Sequence, residues 1–327
     1  MHSIKISAKA CLVAALLAFL ATAAVFSQDP TTHTQTDADV RVMTIPISIF
    51  TKEEIKQNRL DEFVQSGRLS VIEAGDEQEI LSIRSVSNQP LALALLIQDD
   101  LSPDVNLQLS NIKKFITRLP KDSRVMVAYV RGGVTQIRQP FTRDLAAAAD
   151  SVRAIFGSPA VAPRSPYESL RKALDQFDGL PNGRRAVLMI SDGVDISNGV
   201  SSSSPGLNPE LDRAIIEAQR RGVAVYAIFS TATYSRRGNR MLILNGQSSL
   251  VKMAEQTGGR SFFQGFSNPV SYEPFLRTLD RTLNRQFAIT YLSTHMDSGF
   301  YKVDVKSSNP DVEIDHPRGY YFRRLKK

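Results

Sequence analysis

The chain is poor in the residues that soft-metal and nucleophilic chemistry need. It has one cysteine, Cys11, and no tryptophan. Cys11 lies in an amino-terminal leader. Without it the chain can form no disulfide, thiol nucleophile, zinc–thiolate centre or iron–sulfur site. The histidines beyond the leader, His33, His295 and His316, are scattered and form no HExxH-like pair. There is no Gly-x-Ser-x-Gly elbow, no phosphate-binding P-loop and no Gly-x-Gly-x-x-Gly turn, so the common enzyme signatures are missing. Charge of one sign is also scarce: Lys+Arg 40 against Asp+Glu 33 gives +7, part of it from Lys5 and Lys9 in the leader. With no localised basic stripe, nucleic acid is not an expected partner.

What is present is enough apolar residue for a real core. The 327 residues are 42% hydrophobic and 22% charged, which suits a domain of about 200 residues plus a smaller one. Residues 1–27 place two lysines before an apolar run from Ala10 to Phe26, with small residues and a cleavage site before Gln28. This is the plan of a secretory signal peptide, with an uncleaved anchor as the alternative. Cys11 opens the apolar run, where a lipid-attachment signal would need it at the end. No later stretch is apolar enough to span a membrane, so the mature protein is expected to be secreted or periplasmic. Residues 28–39 read as a disordered lead-in.

Residues 40–90 alternate in the manner of strands, at 40–51, 69–72 and 79–86, with a turn at Ala74-Gly75-Asp76. From 91 to 285 the pattern changes. Continuous apolar runs at Leu91–Ile97, Ala186–Ser191 and Val223–Phe229 suit strands buried on both faces. A further strand is expected at Arg124–Arg131 and a short one at Ser261–Phe263. Helical spacing is read at Val105–Leu119, Leu145–Phe156, Pro166–Phe177, Leu211–Arg221, Leu250–Thr257 and Tyr272–Leu283. This predicts an α/β doubly wound, mostly parallel sheet. Residues 286–323 return to strands. They are expected to pack with 40–90 as a β-sandwich-like domain, ahead of a basic tail at 324–327.

Ligands of such a sheet sit beyond the carboxyl ends of its strands. There the sequence reads Gln98-Asp99-Asp100-Leu101-Ser102-Pro103-Asp104 and Ser191-Asp192-Gly193-Val194-Asp195, with Ser158 and Ser165 in the loop before the Pro166 helix. Oxygen-only donors suit a hard cation, Mg²⁺ or Ca²⁺. The alternative is capping: Ser102 or Asp104 caps the next helix, Asp192 orders its own turn, and Ser165-Pro166 is an ordinary helix start. A distant alternative is an Mg²⁺-dependent phosphoester hydrolase with an aspartyl nucleophile, which would want a phosphate-holding Lys and a second Asp two positions after the nucleophile, where Ser102 stands.

The order strand, Asp-x-Ser-x-(Ser/Asp), helix, hydroxyl loop, strand, (Ser/Thr)-Asp-Gly resembles that of von Willebrand factor type A domains. The turn Glu73-Ala74-Gly75-Asp76-Glu77-Gln78-Glu79-Ile80 and the ending Arg318-Gly319-Tyr320-Tyr321 resemble those of the VWFA-related proteins abundant in acidobacteria. The resemblance covers about residues 40–323. It implies a metal-ion-dependent adhesion site on Asp100, Ser102, Asp104, Ser165 (or Ser158) and Asp192, and binding of a protein or cell-envelope component. Asp104 stands where the family pattern has Ser, and Ser165 where it has Thr. A third carboxylate, with Asp99 adjacent, is expected to neutralise the cation and weaken its pull on an acidic partner. The alternative is a structural envelope protein with a dead metal site. The aromatics Tyr226, Phe229, Phe262, Phe263, Phe266 and Tyr272 are read as core where they lie on strands, and Arg236–Arg240 as a solvated loop.

Overall fold

The computed structural model describes residues 40–51, 69–87, 89–157, 165–181, 183–232 and 240–322. The leader, the lead-in, Ser158, positions 236–239 and the basic tail lie outside the described residues. The first strands are β1 (Arg41–Thr51), β2 (Leu69–Glu73) and β3 (Asp76–Ser85). Ala74 and Gly75 join β2 to β3 with φ of 54° and 105°, the two left-handed residues that a tight two-residue hairpin demands.

An α/β unit follows. Its strands are β4 (Leu91–Gln98), β5 (Arg124–Arg131), β6 (Val134–Thr142), β7 (Arg184–Ser191), β8 (Ala224–Phe229) and β9 (Ser261–Phe262). They lie side by side in the order β6-β5-β4-β7-β8-β9, parallel except for β6. The chain leaves β4 toward β5 and later returns to the other side of β4 with β7. The winding therefore reverses between β4 and β7, and a crevice opens at their carboxyl ends. The helices are α1 (Leu109–Thr117), α2 (Leu145–Asp150), α3 (Pro166–Leu174), α4 (Pro209–Arg220), α5 (Arg240–Thr257) and α6 (Glu273–Asn284). Helices α1, α2 and α6 bury one face of the sheet through residues such as Phe115, Ala148 and Leu279. Helices α3, α4 and α5 bury the other through Leu170, Ala214 and Met253.

Several expected boundaries move. The 105–119 helix opens with a 3-10 turn, Pro103–Gln108, because Ser102 caps it at Pro103 and the regular helix starts only at Leu109. The 145–156 helix stops at Asp150, and the chain then extends so that the Ile155 backbone bonds Asn106. Helix α5 begins ten residues before the expected Leu250. Strand β6 was not expected: it is an edge strand, mostly exposed and broken by Pro140, so no apolar run marks it.

The chain closes with β10 (Gln286–Ser293), β11 (Gly299–Ser307), β12 (Val312–Asp315) and β13 (Gly319–Phe322). Together with β1–β3 they form one curled antiparallel sheet, β12-β1-β10-β3-β2-β11-β13. The expected sandwich is replaced by a single sheet. Strand β10 pairs with both β1 and β3, and β2 pairs with both β3 and β11, so hydrogen bonding runs on without a break. One face of it buries Ile45, Ile47, Ile49, Ile289 and Val305. Arg184, at the start of β7, ties the two sheets together. Its guanidinium donates to Gln286 Oε1 (3.0 Å) and to the carbonyls of Ser87 (2.7 Å), Gln89 (2.8 Å) and Leu283 (2.5 Å). Ser87 and Gln89 lie on the connection from β3 to β4, and Leu283 and Gln286 flank the connection from α6 to β10. Burial pushes the pKa of Arg184 down to about 10, so it still carries its charge at neutral pH.

Candidate metal and binding rim

Strands β4 and β7 are in register, with Ile97 opposite Ile190. The next residues, Gln98 and Ser191, therefore meet, and Gln98 Oε1 accepts from Ser191 Oγ (2.5 Å) and from the Asp192 backbone N–H (3.2 Å). The Gln98 side chain also hydrogen-bonds Asp100. One amide thus links the two acidic strand tips. Burial pushes the Asp100 carboxyl above the usual carboxylate range, its bond to Gln98 opposing the shift only in part. Asp192 is wholly buried, and its Oδ1 accepts from the Val194 N–H (3.1 Å).

Helix α3 packs against the turn that follows β7. Its Tyr167 hydroxyl donates to the Gly193 carbonyl at 2.7 Å, and burial raises the phenol well above its ordinary pKa. Ser165, also buried, caps α3 by accepting from the Tyr167 N–H (3.2 Å). Ser102 accepts from the Asp104 N–H at 3.4 Å, a weak cap. A hydroxyl oxygen has two lone pairs, so neither cap by itself removes these serines as cation ligands.

Asp104 differs from the other four. It is exposed, and its Oδ2 accepts from Asn268 Nδ2 at 3.1 Å. The same Asn268 accepts from Thr231 N and Oγ1. The Thr231 carbonyl in turn accepts from Ser102 N, and Leu101 bridges to Ala232. The loop after β4 is thereby laced to the loop after β8. Asn268 was not found from the sequence, since it lies 164 residues from Asp104 in an unremarkable loop. Among the described residues no group of three acidic, histidine or cysteine side chains is gathered as a metal cage.

Asp99 is itself paired, so it is only a lesser cause of the raised Asp100 carboxyl, behind burial. Its two oxygens accept from Arg153 at 3.1 and 3.2 Å, and Arg131 lies 4.0 Å away. Arg153 also stacks on Tyr129. This partly buried bidentate pair neutralises Asp99 on the β5 side. Among the aromatics, Tyr226, Phe229, Phe262 and Tyr272 are core, whereas Phe263 and Phe266 are exposed, with Arg240 over the Phe266 ring.

No family model matches the chain, and no curated protein matches it. Solved structures do. A von Willebrand factor type A protein from Catenulispora acidiphila is similar at 11% identity and a TM-score of 0.44, over 79% of this chain and 74% of that one. An aerotolerance-related membrane protein from Bacteroides fragilis NCTC 9343 is 14% identical, with a TM-score of 0.39 over 59% of this chain and 98% of that one. The conserved hypothetical protein BatB from Bacteroides thetaiotaomicron is 13% identical, with a TM-score of 0.39 over 59% and 97%. Among the described residues no helix is long and apolar enough to cross a membrane.

Proposed function

We propose that this is an exported A-type binding module, not an enzyme, and that its rim takes another protein or a cell-envelope component. The observation that carries the reading is the bridge made by Gln98 between the tips of β4 and β7, at the point where the winding of the sheet reverses. Asp100, Ser102, Ser165 and Asp192 would supply the hard oxygen donors that hold Mg²⁺ or Ca²⁺. Asp104 stands at the outer edge, where it would add charge to the ion's surroundings. Three loops frame the rim, and each presents an exposed apolar side chain: Leu107, Phe156 and Val270. The Asn106–Ile155 and Gln108–Val270 hydrogen bonds hold these loops together. Exposed apolar residues on braced loops are what a protein partner packs against.

The test is calorimetric titration of the mature protein with Mg²⁺, Mn²⁺ and Ca²⁺, alongside Asp192→Asn. The expected result is a heat of binding that the substitution removes. No heat with any ion, and a melting temperature blind to all three, would remove the cation from the account. A second reading then stands, that of a structural envelope protein with a dead metal site. Complete burial of Ser102 and Asp192 favours it, because a shielded ion cannot reach a partner. Partner capture insensitive to EDTA and to Asp100→Ala distinguishes it.

A further inference from the structure

At the opposite end of the same sheet lies a cleft of about 730 Å³, between the amino-terminal ends of the parallel strands and residues of β1 (Thr44, Pro46) and β10 (Gln286, Phe287, Ala288) in the curled sheet. Its size is that of a small-molecule site at a junction between structural units. Five arginines line it, Arg124, Arg143, Arg184, Arg185 and Arg221, against one described carboxylate, Asp122. Three of these arginines are committed. Arg184 is the pin between the sheets. Arg221 is paired with Asp175, Asp178 and Glu217. Arg185 donates to the carbonyls of Arg221 and Leu180.

Arg124 and Arg143 are different. Among the described residues neither makes a side-chain hydrogen bond or ion pair. They are the next residues beyond the antiparallel Val125–Thr142 pair of β5 and β6, so their backbones leave the ladder side by side. Like charges directly opposite on neighbouring strands are destabilising. Arg124 is also in register with Ala92, which is in register with Arg185. The small Ala92 leaves room between two guanidinium groups in one row. Repulsion with no internal compensation marks a position kept for something other than stability.

We propose that this cleft is an anion site: Arg124 and Arg143 grip the phosphate or carboxylate group of a small organic anion, and its apolar part lies against Pro90 and Phe287. Guanidinium groups match such oxyanions with paired, charge-assisted hydrogen bonds. A shared anion turns the repulsion between the two arginines into attraction to a common partner.

The experiment is thermal unfolding of the mature protein in EDTA, with pyrophosphate or citrate titrated against sodium chloride at fixed ionic strength. Wild type is compared with Arg143→Gln, Arg124→Gln and the remote exposed Lys306→Gln. The expected result is an anion-dependent rise in melting temperature, kept by Lys306→Gln, with half-saturation weakened about tenfold or more in either arginine variant. Arg143→Gln is also expected to melt no lower than wild type without anion, since it removes a repulsion. A response to pyrophosphate alone assigns the group as phosphate, and a response to citrate alone as carboxylate. If neither anion exceeds chloride, or if Arg143→Gln responds as wild type does, the proposal is overturned.

Discussion

The two ends of the α/β sheet are built on opposite plans. At the carboxyl end the chain closes over most of its polar groups: Asp100, Asp192 and Ser102 are buried, and side-chain amides of Gln98 and Asn268 lace the loops together. At the amino end the chain leaves a cleft open and lines it with guanidinium groups. Between them, Asp99 with Arg153 shows how this chain satisfies a charge when charge is only structural, by a direct bidentate pair. Among the described residues Arg124 and Arg143 have no such partner. The difference teaches that the closed end must move, or bind a shielded ion, to act, whereas the open end can bind as it stands.

The largest effect expected is on the junction that separates the two ends. Arg184→Met leaves the carbonyls of Ser87, Gln89 and Leu283 without their donor, and a loss of about 3–5 kcal/mol is expected in urea unfolding. A loss below 1 kcal/mol would mean that the sheets are held together elsewhere. Next is Gly246→Ala in α5. A Cβ there would overlap the Asp192 carbonyl oxygen, so helix and strand tip cannot both keep their places. A cost of about 2–3 kcal/mol is expected, with weaker cation binding at the rim and unchanged anion binding at the base. Equal damage to both ends would erase the distinction drawn between them.

A smaller effect of opposite sign is expected from Asp100→Asn. The Asp100 carboxyl is raised by burial, so its stability contribution is fully present only below its unfolded pKa and is lost as pH rises through the folded value. The amide should therefore raise the melting temperature of the metal-free protein at pH 7 and leave it unchanged near pH 3. A lower melting temperature at pH 7 would show that the charge is already compensated. The smallest effect concerns His316, which touches neither end. It is buried, and burial lowers its pKa; Nε2 accepts from Val305 N, and Nδ1 faces the Pro317 carbonyl. With the folded pKa depressed, stability is full above the unfolded value of about 6.5 and falls as pH drops below it. Between pH 7.5 and 5.5 the wild type should lose stability that His316→Gln does not lose, and parallel curves would exclude the effect.

The central strands were legible because burial on both faces leaves a mark in the chain itself. Leu91–Gln98 and Ala224–Phe229 are almost wholly apolar and lie where they were expected. The tips Asp100 and Asp192 were legible for the same reason, as charges that follow closely on such runs. What escaped was decided by contacts distant in sequence. Helix α5 carries Asn245, Gly246 and Ser249 in its middle, which reads as a loop, yet Gly246 is there because the Asp192 turn presses on the helix. The role of Asn268 depends on the meeting of two loops. The sandwich failed because alternation gives the face of a strand and says nothing of its neighbours.

In the curled sheet, Ser85 at the end of β3 lies opposite Phe287 near the start of β10. The entire α/β unit is therefore a passenger inserted between two adjacent strands of its host. On the ribosome β2 and β3 can zip at once, while the strand that fills the gap between β3 and β1 emerges only after the passenger is made. Closing that long loop is costly while the unit is a random coil and much cheaper once folding has drawn its ends together. Amide protection in β1 and β10 should then appear after protection in β4 and β7 during refolding, and a slowly folding passenger would hold back a sheet to which it contributes no strand.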